Sequence, residues 1–174
     1  MAIENGRPVT LDGLAPGSRE AHARQQAYGE TAGLPTEVVN DVGIRFQLVP
    51  PGEFTMGSPR SFSYYAMSRS SERDVELTKP IYVSRTEITR GQWETVMGTN
   101  PVRLGPRGED LPVEEVSWYD CQEFLRRLCE LEGVAAGSYR MLSESEWEYA
   151  CRAGTETLYC FGDQITRDQA NLRK

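Results

Sequence analysis

Histidine is almost missing from this chain: His22 is the only one in 174 residues. A metal centre built on a histidine triad is therefore excluded within it. Runs of basic residues are missing too. The formal net charge is −7. The nearest approach to a basic patch, Arg126-Arg127, reads as the wet face of a helix, so the basic stripe of a nucleic-acid binder is not present. No stretch approaches the roughly 18 consecutive apolar residues of a membrane span. The opening MAIENGRPVTLDGL has neither the basic nor the apolar region of a signal peptide. Taken literally, these absences place the chain in the cytoplasm, with neither nucleic acid nor membrane among its partners. The four cysteines, Cys121, Cys129, Cys151 and Cys160, contain no C-x-x-C pair. Cys121 and Cys129 fall on one predicted helix, about 12 Å apart along its axis, too far for a bridge. Cys151 and Cys160 could meet across a loop, but small buried hydrophobes is the plainer reading of these thiols.

What is present suits one domain with a real core: 39% apolar and 26% charged residues, with Gly 16 and Pro 10 for turns. Residues 1–36 differ from the rest. They are polar, with a weak helix over about Ser18–Tyr28, and read as a linker or docking arm. Residues 37–174 carry the globular pattern. IRFQLVP alternates Ile44, Phe46 and Leu48 on one side, as a half-buried strand does, and Pro50-Pro51-Gly52 supplies a turn. Residues 58–74 form a polar, serine-rich loop whose Phe62, Tyr64 and Tyr65 either pack back onto the domain or bind something. VELTKPIYVSRTEI reads as strand, with Pro80 at an edge or bend.

Three helices follow, each opened by the same signal. Thr89 with Gln92 makes a capping box, in which the hydroxyl takes the N3 amide and the N3 side chain returns to the cap amide. Ile88 and Trp93 stand at the staple positions around it, and Gly98 is the stop. Ser117 with Asp120 opens the second helix. Trp118, Cys121, Leu125 and Leu128 line its apolar face, and Gly133 is the stop. Ser143 with Glu146 opens the third, with Leu142 and Trp147 as the staple, Arg152 in the last turn and Gly154 at the end. Glu144, Glu146 and Glu148 crowd into five residues here. Glu144 and Glu146 suit the positive end of the helix. A catalytic carboxylate pair would need a metal ligand or a nucleophile beside it, and none is visible, so the structural reading is favoured. Trp93, Trp118 and Trp147, all at helix starts, are expected to face one shared core.

FQLVPPGEFTMGS, TKPIYVSRTEITRGQWETVMG, LPVEEVSWYDCQEF and RMLSESEWEYACRAGTETLYCFGD, in this order and spacing, resemble the formylglycine-generating enzyme family, the sulfatase-modifying-factor domain. The resemblance runs from about residue 40 to the end. One small departure is that Arg140 is followed by Met-Leu-Ser-Glu where the family usually has Leu-Pro-Thr-Glu. The resemblance implies an irregular α+β fold, related to C-type lectins, low in regular secondary structure and bound to calcium. It implies for active members the oxidation of a sulfatase cysteine to formylglycine with oxygen and copper held by two cysteines. The family's later segments and its copper-binding cysteines have no counterpart here, so the domain reads as truncated and the chain's cysteines inherit no catalytic role. Ala170-Asn171 resembles the start of a family calcium site. There the Asn171 side-chain oxygen and the Leu172 carbonyl would be two of the six to eight oxygens that calcium takes, though Asn171 reads equally as a loop residue.

Two functions are left in contention: the N-terminal portion of a formylglycine-generating-type protein, catalytically inert alone and meeting a sulfatase polypeptide through its intact parent, or a lectin-like ligand- or protein-binding module. An active oxidase is disfavoured, because Cys121 and Cys151 are expected on buried helix faces. Strand edges near 44–49 and 75–83 are expected to lack partners.

Overall fold

The computed structural model describes residues 2–3, 7–8, 19–57, 72–102, 108–157, 159 and 162–167. Its strands are β1 (Ala2–Ile3), β2 (Arg7–Pro8), β3 (Glu37–Val39), β4 (Arg45–Val49), β5 (Gly52–Met56), β6 (Arg73–Leu77) and β7 (Ile81–Ser84). Its helices are α1 (Arg19–Ala32), α2 (Arg90–Met97), α3 (Trp118–Leu131) and α4 (Glu144–Arg152). The architecture is α+β, with a five-stranded antiparallel sheet in the order β1-β7-β4-β3-β2 and a separate β5-β6 ribbon.

The alternation read in IRFQLVP holds: Ile44, Phe46 and Leu48 are buried and Arg45 is exposed. This strand is central, however. β4 lies between β3 and β7, so the expectation of an unpaired edge at 44–49 is corrected. Alternation reports which face is buried and carries no information on how many neighbours a strand has. The long extended run around Pro80 is two strands in two sheets. β6 stops at Leu77 and β7 starts at Ile81. Proline, with no N–H to give a ladder, sits in the break.

The core lies between the sheet and α2 and α3. Val38, Phe46, Leu48 and Tyr82 meet Trp93, Phe124, Leu125, Leu128 and Cys129 in one cluster. Trp93 stacks on Phe124 with ring centroids 5.0 Å apart. One charge is buried in the sheet. Glu37 is 1% exposed and pairs with Arg45 at 3.0 Å, with Arg85 at 3.9 Å from its other oxygen.

All three capping boxes form, at Thr89, Ser117 and Ser143. Gly98 closes α2 in the left-handed conformation, at φ +77°. Two helix ends differ from expectation. α1 runs four residues past Tyr28, to Ala32, and the Leu34 N–H closes back on the Gly29 carbonyl at 2.9 Å. Gly33, at φ +67°, makes that reversal possible. At α4 the left-handed cap is Ala153, one residue before Gly154. The shared tryptophan core is also corrected. Trp93 is buried, whereas Trp118 and Trp147 are each 61% exposed. The buried stripe of α3 runs through Phe124, Leu125, Leu128 and Cys129, which leaves Trp118 and Tyr119 on the outside.

The described elements of the polar segment 1–36 pack on the rest of the fold. β1 pairs with β7, β2 with β3, and α1 lies along β4, where the Gln25 amide donates to the Leu48 carbonyl at 2.6 Å.

Candidate functional site

The three glutamates of α4 have three different surroundings. Glu146 accepts the Ser143 N–H at 2.8 Å and is gripped through both oxygens by Arg140, at 2.6 and 2.7 Å. The Arg140 guanidinium holds its carboxyl down at about 2. Glu144 is exposed in the first turn, against the positive helix end. Glu148 reaches across to the β5-β6 ribbon. One of its oxygens accepts the Gly57 N–H at 2.8 Å and the Arg152 Nε–H at 2.8 Å, while Arg152 Nη2 donates to the Gly57 carbonyl at 2.6 Å. A single i,i+4 ion pair thus satisfies both backbone groups of one residue, just beyond the end of β5. Gly57 has φ +104°, a conformation that suits glycine. This is not an acid–base pair, which needs one carboxyl pushed up toward the working pH. Glu146 moves the other way, and Glu148 is committed to arginine and backbone.

Tyr149 extends the same junction. Its ring packs on Phe54 with centroids 5.3 Å apart, and a Cβ at Gly52 would stand 2.5 Å from its hydroxyl oxygen. Glycine at 52 is therefore what lets the β4–β5 turn approach α4. Burial pushes the Tyr149 hydroxyl up, against the opposing pull of Arg24 on α1. Between α1, the β4–β5 turn, α4 and the segment beyond it lies a cleft of about 1250 Å³. Tyr28 and Gln25 of α1 line one side, Phe54 and Glu53 of β5 another, and Tyr149 and Arg152 of α4 a third. Sequence reasoning placed Glu148 among the crowded glutamates and Arg152 in the last turn, but missed both their pairing and the cleft. Gln25 and Leu48 are 23 residues apart and Gly57 and Glu148 are 91 apart, and no local pattern signals such contacts.

Cys129 is buried in the core, and Cys121 is half-buried with its thiol pushed up by burial and then by the Asp120 charge. Cys151 is exposed, which corrects the expectation of a buried face. The reason is that α4 buries none of its residues fully and is held by the polar junction just described. Cys160, Phe62, Tyr64, Tyr65 and the two calcium candidates, Asn171 and Leu172, lie outside the described residues. Among the described residues no three His, Cys, Asp or Glu side chains converge as a metal-holding group, and no helix is long and apolar enough to cross a membrane.

A family model for the sulfatase-modifying factor enzyme 1-like domain matches residues 37–174. Among curated proteins, the chain is similar to the chaperone protein LppX of Paenibacillus barcinonensis, at 29% identity over 53% of this chain and 44% of LppX. Among solved structures, PvdO from Pseudomonas aeruginosa superposes with a TM-score of 0.58 and 26% identity, over 69% of this chain and 52% of PvdO. The chain spans about half the length of both proteins.

Proposed function

This chain belongs to the sulfatase-modifying factor enzyme 1-like domain family, and we propose that residues 37–174 are the N-terminal portion of a formylglycine-generating-enzyme-like domain, catalytically inert without further segments. The match of the family model over those residues carries the reading. The thiols support the inert part. Copper(I) chemistry wants soft thiolates held together, and reactive cysteines have lowered pKa values and access to solvent. Cys129 is buried and Cys121 is shifted upward. Cys151 is exposed. Calcium at Asn171 and Leu172, and the lectin-like relationship, belong to the same proposal by resemblance alone.

The test is mass spectrometry of a peptide carrying a sulfatase modification motif, incubated aerobically with the chain, copper and reductant. The expected result is unmodified peptide. Aldehyde formation that is lost on Cys121→Ser or Cys151→Ser would overturn the inert reading.

A second reading has its own support. LppX is named a chaperone protein, so a non-catalytic protein-binding role for this chain is the alternative. Retention of a client polypeptide by the purified chain, with no aldehyde produced, would favour it.

A further inference from the structure

Among the described residues the β5-β6 ribbon has two strands and no third. α4 supports one of its faces, through the Phe54 and Tyr149 rings, and leaves its edges to be accounted for. The cleft shows which edge is open. Side chains of a strand alternate between its two faces, so a cavity lying against one face meets every second residue. The cleft instead meets Gly52, Glu53, Phe54, Thr55 and then Gly57, and none of Arg73–Leu77. It therefore runs along the edge of β5 that faces away from β6. Every second residue of an antiparallel strand turns its N–H and C=O to that outer side. Among the described residues, no backbone group of Gly52–Met56 hydrogen-bonds to anything but β6. Such edges are normally blunted by a lysine, a proline or a bulge. β5 has none of these: its sequence is GEFTM, and its register with β6 runs unbroken from Gly52 to Met56.

The two faces of β5 define the strand that fits beside it. On the exposed face Glu53 stands directly opposite Glu76, and like charges so placed destabilise a ladder. The next pair on that face is Thr55 with Asp74, joined by a 3.1 Å hydrogen bond. A cation on an added strand beside Glu53 relieves the repulsion, and an anion adds to it. On the other face Phe54 is half-buried against Tyr149 and offers an apolar neighbour. The cleft volume, about 1250 Å³, exceeds the roughly 300–1,000 Å³ usual for small-molecule sites and has room for a stretch of chain. We propose that the free edge of β5 captures an extended segment of another polypeptide as a third strand, in which basic residues, lying beside Glu53, alternate with apolar residues, lying beside Phe54. Main-chain hydrogen bonds supply the affinity of such an addition, and the alternation supplies the specificity. The proposal rests on the protein-binding reading above and names its surface and the chemistry of its partner.

The test is calorimetric titration of the full chain with acetyl-Lys-Val-Lys-Val-Lys-Val amide and with its glutamate counterpart, acetyl-Glu-Val-Glu-Val-Glu-Val amide. Two further lysine peptides are N-methylated, one at the valines and one at the lysines. In an extended strand each set of methyls blocks one edge and keeps every side chain. The expected result is that the lysine peptide binds, the glutamate peptide binds more weakly, and one methylated peptide loses about tenfold or more while the other does not. Hydrogen exchange should slow at the outward amides of Gly52–Met56 when the lysine peptide is added. Ala27→Trp, on the exposed α1 wall of the cleft, should block binding, and Glu53→Lys should reverse the preference between the two charges. Absence of binding overturns the proposal. So does equal binding of both methylated peptides, which would mean side-chain charge only, or binding that Ala27→Trp leaves unchanged. Outward β5 amides already protected before any peptide is added also overturn it, because a second copy or another segment then holds the edge. If Ala27→Trp fails to fold by circular dichroism, Glu53→Lys decides: an unchanged preference there overturns the proposal. A client polypeptide retained equally by the natural chain and by both variants overturns this surface and leaves the protein-binding reading standing.

Discussion

The start of α4 shows how much one side chain does when local geometry is right. The Ser143 hydroxyl and Glu146 carboxylate satisfy each other's backbone N–H, and Arg140 locks the carboxylate. Ser143→Ala is expected to cost about 1 kcal/mol, the usual value of a lost N-cap, with Glu144→Gln costing less, both read by urea unfolding. The Glu146 pair has a pH signature. Its folded pKa, about 2, lies below the ordinary 4.5, so its contribution is complete above that ordinary value and disappears as pH falls through about 2. The stability gap between the natural chain and Glu146→Gln should therefore be widest above pH ~5 and shrink steadily on acidification. A gap that is flat from pH 6 to pH 2.5 would show that the charge is not what Glu146 contributes. The capping box was legible in the letters S-E-S-E, because it is contained within four residues, whereas the Arg140 grip that gives the pH signature was not. Nor was the exposure of Trp147. A staple position constrains spacing along the helix and says nothing about what lies opposite it.

Elements were readable to the extent that their signals are local. The three cap-defined helices and the buried face of β4 follow from hydroxyls, glycines and alternation. The neighbours of β4, the splitting of the run around Pro80 into two sheets and the docking of α1 depend on contacts between distant residues. α1 was underestimated for a further reason. Its attachment rests on Gln25, Tyr28 and Gly29, a polar, an amphipathic and a small residue, so no apolar stripe announces it. Gly29 is the sharpest test of that attachment. Alanine is favoured over glycine inside a helix by about 1 kcal/mol, and helix propensity alone would make Gly29→Ala stabilising. A Cβ there, however, would stand 2.7 Å from the Leu34 carbonyl oxygen and 3.6 Å from the Leu48 side chain. The first is backbone, held by its own turn, and cannot swing aside. Overpacking of this kind costs typically about 1–3 kcal/mol, so Gly29→Ala should be net destabilising in urea unfolding. A gain in stability would mean that α1 sits further from the sheet than described.

At the scale of the whole molecule, the apolar surface is unevenly shared. The face of α3 that carries Phe124 and Leu128 is closed by the sheet and α2, while Trp118 and Tyr119, ring against ring at 5.2 Å, stand 61% and 78% exposed at its start. Trp147 is as exposed on α4. Tryptophan and tyrosine are the side chains most enriched where proteins bury surface against one another, and on the portion-of-a-domain proposal they are the positions that further segments would cover. Two readouts follow for residues 1–174, kept whole because β1, β2 and α1 belong to the sheet and the cleft. Quenching by acrylamide should reach two of the three tryptophans readily and leave Trp93 protected, as Trp118→Phe, Trp147→Phe and Trp93→Phe variants would resolve. The chain should also bind a hydrophobic dye and self-associate with concentration in sedimentation, since uncovered aromatic surface invites contact. Trp118→Ser with Tyr119→Ser should reduce both without loss of helix content, because neither side chain supports the core. A monodisperse monomer that binds no dye and unfolds in one sharp transition would count against the portion reading and move the protein-binding alternative ahead of it, with Trp118 and Tyr119 as the first residues to examine for a partner.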